Sequence, residues 1–102
     1  MLDAEAGALI RGEILKAAAD GDSIGGILET AVTGLPAGVG EPWFDTLEGM
    51  LAHAVFAIPA VKGIQFGGGF ALADLRGSQA NDAFYMDAEG VKTRTNYSGG
   101  IQ

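Results

Sequence analysis

The stretch Asp45-Thr46-Leu47-Glu48-Gly49-Met50-Leu51-Ala52-His53-Ala54-Val55-Phe56-Ala57-Ile58-Pro59-Ala60-Val61-Lys62-Gly63 decides the fold. Leu47, Met50, Leu51, Ala54, Val55 and Ile58 recur at helical spacing and form one broad apolar face. The opposite side carries Gly49, Ala52, His53, Phe56 and Ala57, so no formal charge follows Glu48 until Lys62. A helix that is apolar all round is enclosed by other structure rather than laid on a surface. It falls short of the roughly 20 residues that cross a bilayer, so protein is the expected cover. Asp45 is the expected N-cap, with Glu48 completing a capping box and Phe44 acting as a hydrophobic staple. Pro59 stops regular helix and biases Ile58 toward extended backbone.

Upstream, Asp3-Ala4-Glu5 gives an acidic first turn to a surface helix. Its inner face is Leu9, Ile10, Ile14, Leu15 and Ala18, and Gly21 supplies a left-handed stop. The run from Ile27 to Leu35 is β-branched and nearly uncharged, which predicts a strand with a covered face. Pro36, Gly38, Gly40 and Pro42 then force a loop. Downstream, Gly63–Gly67 reads as a short alternating strand. Phe70–Ala73 is strand or helical turn, which periodicity cannot decide over so few residues. Arg76–Asp82 is a polar loop. Ala83–Met86 and Val91–Thr95 form a predicted hairpin across Asp87-Ala88-Glu89-Gly90. The close at Gly99-Gly100-Ile101-Gln102 reads as a cut edge, because an apolar residue just beyond a double glycine is an unusual end for a complete domain.

The 102 residues suffice for one small domain. With 48% hydrophobic residues, a chain this short leaves apolar surface that seeks a partner. Without cysteine there is no disulfide framework and no thiolate zinc site. No leader-like or membrane-spanning run is read, so no membrane partner is expected. A net charge of -7 argues against nonspecific nucleic-acid binding. The acids concentrate in the first half, whereas Lys62, Arg76, Lys92 and Arg94 make the second half the place for any anionic ligand.

Chemistry-bearing motifs are few. His53 is the single histidine and sits within the central helix, where a satisfied core residue is the plainer reading than a catalyst. The carboxylates lack calcium-loop or metal-helix spacing, and Gly38-Val39-Gly40 lacks the third glycine and the context of a dinucleotide fingerprint. Asn96-Tyr97-Ser98 fits a glycosylation acceptor only by pattern. The loops Arg76–Asp82 and Arg94–Gly100 are different. Each sets an arginine among glycines and small polar residues, a way of offering backbone N–H groups and a guanidinium to an anion. Structural turns explain both loops equally well.

Gly21-Asp22-Ser23-Ile24-Gly25-Gly26, Gly34-Leu35-Pro36-Ala37-Gly38-Val39-Gly40-Glu41-Pro42, Ile58-Pro59-Ala60-Val61-Lys62-Gly63, Arg76-Gly77-Ser78 with Asn81-Asp82, and Thr95-Asn96 through Gly100 together resemble chorismate synthase, in that family's order and spacing. The resemblance covers nearly the whole chain. It implies an internal segment of a longer enzyme, with residues 1–102 forming a single partial domain. The implied fold is α+β, a segment of a β-α-β sandwich with antiparallel strands and a buried central helix in the middle layer. The implied activity is that of a cytoplasmic flavoprotein lyase of the shikimate pathway of aromatic amino acid biosynthesis. It converts 5-enolpyruvylshikimate 3-phosphate to chorismate and phosphate by 1,4-elimination, requires reduced FMN, and assembles as a homotetramer. The resemblance links the family to NADP as well.

Pro59 and Ala60 match the pair that contacts FMN in the family. The catalytic histidines and most substrate-binding arginines fall outside the matching region, and His53 matches neither histidine, so the chain alone is expected to be inactive. Gln65 stands where glutamate is usual and Asp74 where a small or basic residue is commoner. Tyr97 replaces asparagine or histidine, a bulk that would crowd the loop near the flavin phosphate. A noncatalytic binding or self-assembly module using the same fold is the alternative.

Overall fold

The computed structural model describes residues 3–36 and 38–99. The chain divides into two compact units, Met1–Thr33 and Gly34–Gln102.

In the first unit, helix α1 spans Ala4–Ala19. The Asp3 carboxylate caps it, accepting from the backbone N–H groups of Glu5 at 2.9 Å and Ala6 at 3.0 Å. These donors have no partner inside the helix, so the cap satisfies what the helix leaves open. At the other end Gly21 takes φ +70. Its N–H donates to the Ala18 carbonyl at 3.2 Å, while that of Asp22 reaches back to Ala17 at 2.9 Å. This is a Schellman termination at the expected glycine. Leu9, Ile10, Ile14 and Leu15, the expected inner face, are all exposed. The strand expected over Ile27–Leu35 does not form, and Ile27 and Leu28 are 101% and 90% exposed. β-Branched composition favours extended backbone, but a strand exists only where a neighbour completes its ladder. Among the described residues none does.

The second unit opens with a 3₁₀ turn, Trp43–Asp45, followed by α2 over Leu47–Phe56. The turn takes up Asp45, so the expected cap moves by one residue. Thr46 is the N-cap, and its Oγ1 accepts from Gly49 N–H at 3.1 Å. Phe44 does not staple the helix. It is 91% exposed, its ring tilted against that of Trp43 with centroids 6.3 Å apart. Helix α2 stops at Phe56 with Ala57 as its C-cap, ahead of Pro59 as the proline requires.

The expected enclosure of α2 is not found among the described residues. No described residue is buried, His53 is exposed rather than a core residue, and Phe56 is 49% exposed. Enclosing a helix takes apolar layers on more than one side, and short 3₁₀ turns with a two-stranded ribbon do not supply them. The observed class is α+β, with a two-stranded antiparallel sheet among the described residues.

Gly63–Gly67 forms no ladder, although half-buried Ile64 and Phe66 flank exposed Gln65 and so preserve the alternation. Gly69–Asp74 is a 3₁₀ helix, which settles Phe70–Ala73 as helical turn. Within the expected polar loop, Gly77–Ala80 forms a single helical turn, α3. The hairpin forms as β1 (Phe84–Asp87) and β2 (Gly90–Thr93), with Phe84 opposite Thr93 and Asp87 opposite Gly90. Lys92 Nζ lies 2.8 Å from the Asp87 carboxylate and also pairs with Glu89, tying the turn together. No helix among the described residues is long and apolar enough to cross a membrane. Ala37 of the expected Pro36–Pro42 loop, and the expected terminal edge from Gly100 to Gln102, lie outside the described residues.

Candidate functional site

The chain leaves α2 through a tight turn in which Val61 N–H donates to the Ile58 carbonyl at 3.4 Å, with Pro59 and Ala60 between them. Pro59 brings the fixed φ that suits the first central position. Ala60 has φ +70, the left-handed value that a type II turn demands at its second central position and that glycine usually supplies. An L-residue there costs on the order of 1–2 kcal/mol. Both residues are exposed, and the Ala60 N–H donates to no described residue. The turn therefore offers a small side chain and a free backbone donor, next to a helix end that lacks charge until Lys62. This donor set fits the edge of a flat, uncharged ring system.

A second arrangement joins three loops. The Asp82 carboxylate accepts from the backbone N–H groups of Tyr97 and Ser98, each at 2.8 Å, and from the Thr95 hydroxyl at 2.7 Å. The Ser98 N–H, then the Thr95 hydroxyl, hold the Asp82 carboxyl below its ordinary range, outweighing partial burial, which acts the other way. Gly68 N–H donates to the Tyr97 carbonyl at 2.7 Å, and Gln65 Oε1 accepts from Phe70 N–H at 3.2 Å. Glu48, Gln65, Phe66, Phe70, Tyr97 and Ser98 are among the residues lining an open cleft of about 390 Å³ beside this junction. Pro59 and Ala60 do not line it.

The two arginine-bearing loops are thus brought together, but not around an external anion. The amides of Tyr97 and Ser98 are already taken by Asp82. Arg94 places its guanidinium over the Tyr85 ring, 5.5 Å from the centroid, and the Arg94 backbone N–H donates to the Ala83 carbonyl at 3.0 Å. Arg76 is the N-cap of α3, and Gln79 Oε1 accepts from its backbone N–H at 2.9 Å. The role of Asp82 is not legible in its polar loop, because its partners lie 13 to 16 residues further on. The only local signal was an Asn-Asp pair directly before a strand. Among the described residues no group of acids and histidine could hold a metal ion.

The family model for chorismate synthase matches residues 1–102. The chain is 54% identical over 88 residues to chorismate synthase of Dehalococcoides mccartyi, covering 86% of this chain and 24% of that protein. It is 52% identical over 90 residues to chorismate synthase of Methylacidiphilum infernorum, covering 88% and 25%. It is 48% identical over 102 residues to chorismate synthase of Saccharomyces cerevisiae, covering 98% and 27%. The chain spans about a quarter of the length of these relatives.

Proposed function

The chain belongs to the chorismate synthase family, and from that premise we propose that it supplies part of a flavin-binding wall and of an apolar middle layer in an enzyme of this class. The reaction is the 1,4-elimination of phosphate from 5-enolpyruvylshikimate 3-phosphate. A C–O bond to phosphate breaks, a ring proton leaves, and the second ring double bond of chorismate forms. The observation that carries the reading is the Pro59–Ala60 turn. An alanine held at φ +70 whose N–H meets no acceptor among the described residues is a strained, exposed piece of main chain, and such strain concentrates where a chain meets a ligand.

In this reading Pro59 fixes the turn, Ala60 presents its N–H and its small side chain, and the exposed Phe56 and Ile58 provide apolar surface beside them. Reduced FMN, when bound, supplies the reducing ring system that the resemblance implies for this elimination. No residue of this chain is assigned a proton transfer. The exposed face of α2 fits a layer that the other three quarters of such an enzyme would cover. A cytoplasmic tetramer goes with this reading.

The test is to add the purified chain to reduced FMN and 5-enolpyruvylshikimate 3-phosphate. No chorismate is expected, and its appearance would overturn the assignment of the chemistry to groups outside this chain.

The exposure of Ile27, Leu28, Trp43 and Phe44 favours a second reading, a noncatalytic module that associates through its apolar surface. Sedimentation as dimers or larger species, with flavin fluorescence unchanged on mixing, would favour that module. A monomer that binds flavin would favour the first reading.

A further inference from the structure

We infer that Asp82 is a positioning residue that acts as a built-in anion: its carboxylate fills the paired amides of Tyr97 and Ser98 and so sets the loop that walls the cleft beside Glu48 and Gln65. Consecutive backbone N–H groups converging on one point make an anion site. Here both reach the same carboxylate at 2.8 Å, one to each oxygen, and the Thr95 hydroxyl adds a third donor at 2.7 Å. The other side of the loop is pinned by Gly68 N–H on the Tyr97 carbonyl. Tyr97 and Ser98, which line the cleft, are therefore gripped from below by a charge and from the side by main chain.

The grip uses both oxygens of a carboxylate. An asparagine offers one acceptor oxygen, so one of the two amides would lose its partner. Among the described residues Asp82 has no ion pair. Its charge is met by backbone and hydroxyl dipoles alone. The charged or titratable groups on the elements around it are otherwise placed. Glu48 and Tyr97 line the cleft, Arg94 lies over Tyr85, and Arg76 is the N-cap of α3. With Asp82 shortened, the same amides would take a small carboxylate from solution. The inference concerns the cleft wall and stands apart from the flavin reading of the Pro59–Ala60 turn.

The test follows the amide resonances of Tyr97 and Ser98 in the full chain by NMR. In the wild type both are expected downfield and moving together on acidification, with one midpoint below 3.8, the ordinary aspartate value. Glu48→Gln should leave that titration unchanged, and Asp82→Asn should abolish it and shift Ser98 upfield. Asp82→Ala with added acetate should recover both shifts saturably, while chloride at equal ionic strength should not. Random-coil positions in the wild type, a titration that follows Glu48, or a folded Asp82→Ala chain indifferent to acetate would each overturn the inference. Should Asp82→Ala not fold, the wild-type and Asp82→Asn titrations decide it.

Discussion

Gly67 passes so close to Tyr97 that a Cβ built on the glycine would collide with the Tyr97 carbonyl oxygen and with the Gly99 backbone. The backbone of Gly67 is also left-handed, at φ +56. Two independent reasons thus require glycine where the chain crosses itself beside the cleft.

Gly67→Ala should accordingly lose about 1–3 kcal/mol, from the strained φ together with displacement of the Tyr97 loop. The urea midpoint of unfolding measures it. Gly77→Ala is the control, since a Cβ there meets nothing within 4 Å and φ is not positive. Equal effects at the two positions would contradict the crossing.

Ala60 reverses the argument. At φ +70 the alanine is the misfit, so Ala60→Gly should relieve on the order of 1 kcal/mol, partly offset by the greater freedom of glycine in the unfolded chain. Ala60→Val should cost more than the glycine gains, because a β-branched residue tolerates this region least. Thermal unfolding of the three proteins should rank them Gly, Ala, Val.

Acid should unfasten both carboxylate ties. The Asp82 carboxyl is held low first by Ser98 N–H, and that of Asp87 first by Lys92. A group whose folded value is lowered contributes stability that is present above 3.8, its unfolded value, and lost as pH falls through the folded value. Lys92 is raised above 10.5 by Asp87 and then Glu89, so its contribution is full below 10.5 and disappears as pH climbs through the folded value. The stability of the hairpin should therefore be flat from pH 5 to 10 as far as these groups decide it. Amide exchange at Met86 and Val91 reads this, and Asp87→Asn should remove the acid limb there.

The cap of α1 is separable from everything downstream. Asp3→Ala removes the acceptor for two N–H groups and should cost about 1 kcal/mol of helix stability. Because α1 has no buried face in this chain, that loss should show as a drop in helical circular dichroism. Asp3→Asn should retain most of the signal.

Local chemistry made α1, its Gly21 stop, the core of α2 and the hairpin legible, since each is decided by residues within a few positions of one another. Thr46 took the cap from Asp45 because the preceding residues wound into a 3₁₀ turn, an event no capping pattern encodes. The Ile27–Leu35 strand and the enclosure of α2 were read from apolar composition, which records that a surface is to be covered but not by what. Among the described residues nothing covers it, so the residues that signal burial stand exposed. At the candidate site, Pro59 and Ala60 were placed by resemblance, and the left-handed φ of Ala60 adds a physical reason to look there. Asp82 is not legible in the sequence, because a carboxylate in a polar loop is ordinary and its partners are distant along the chain.

The most direct measurement is a titration of the isotope-labelled chain with reduced FMN under anaerobic conditions, following backbone amides. Saturable movement of the Ala60 and Val61 resonances, absent with free ribose 5-phosphate, is the outcome required if this turn faces the flavin ring. Resonances that stay fixed at Ala60 and Val61 while flavin binds elsewhere on the chain would contradict it.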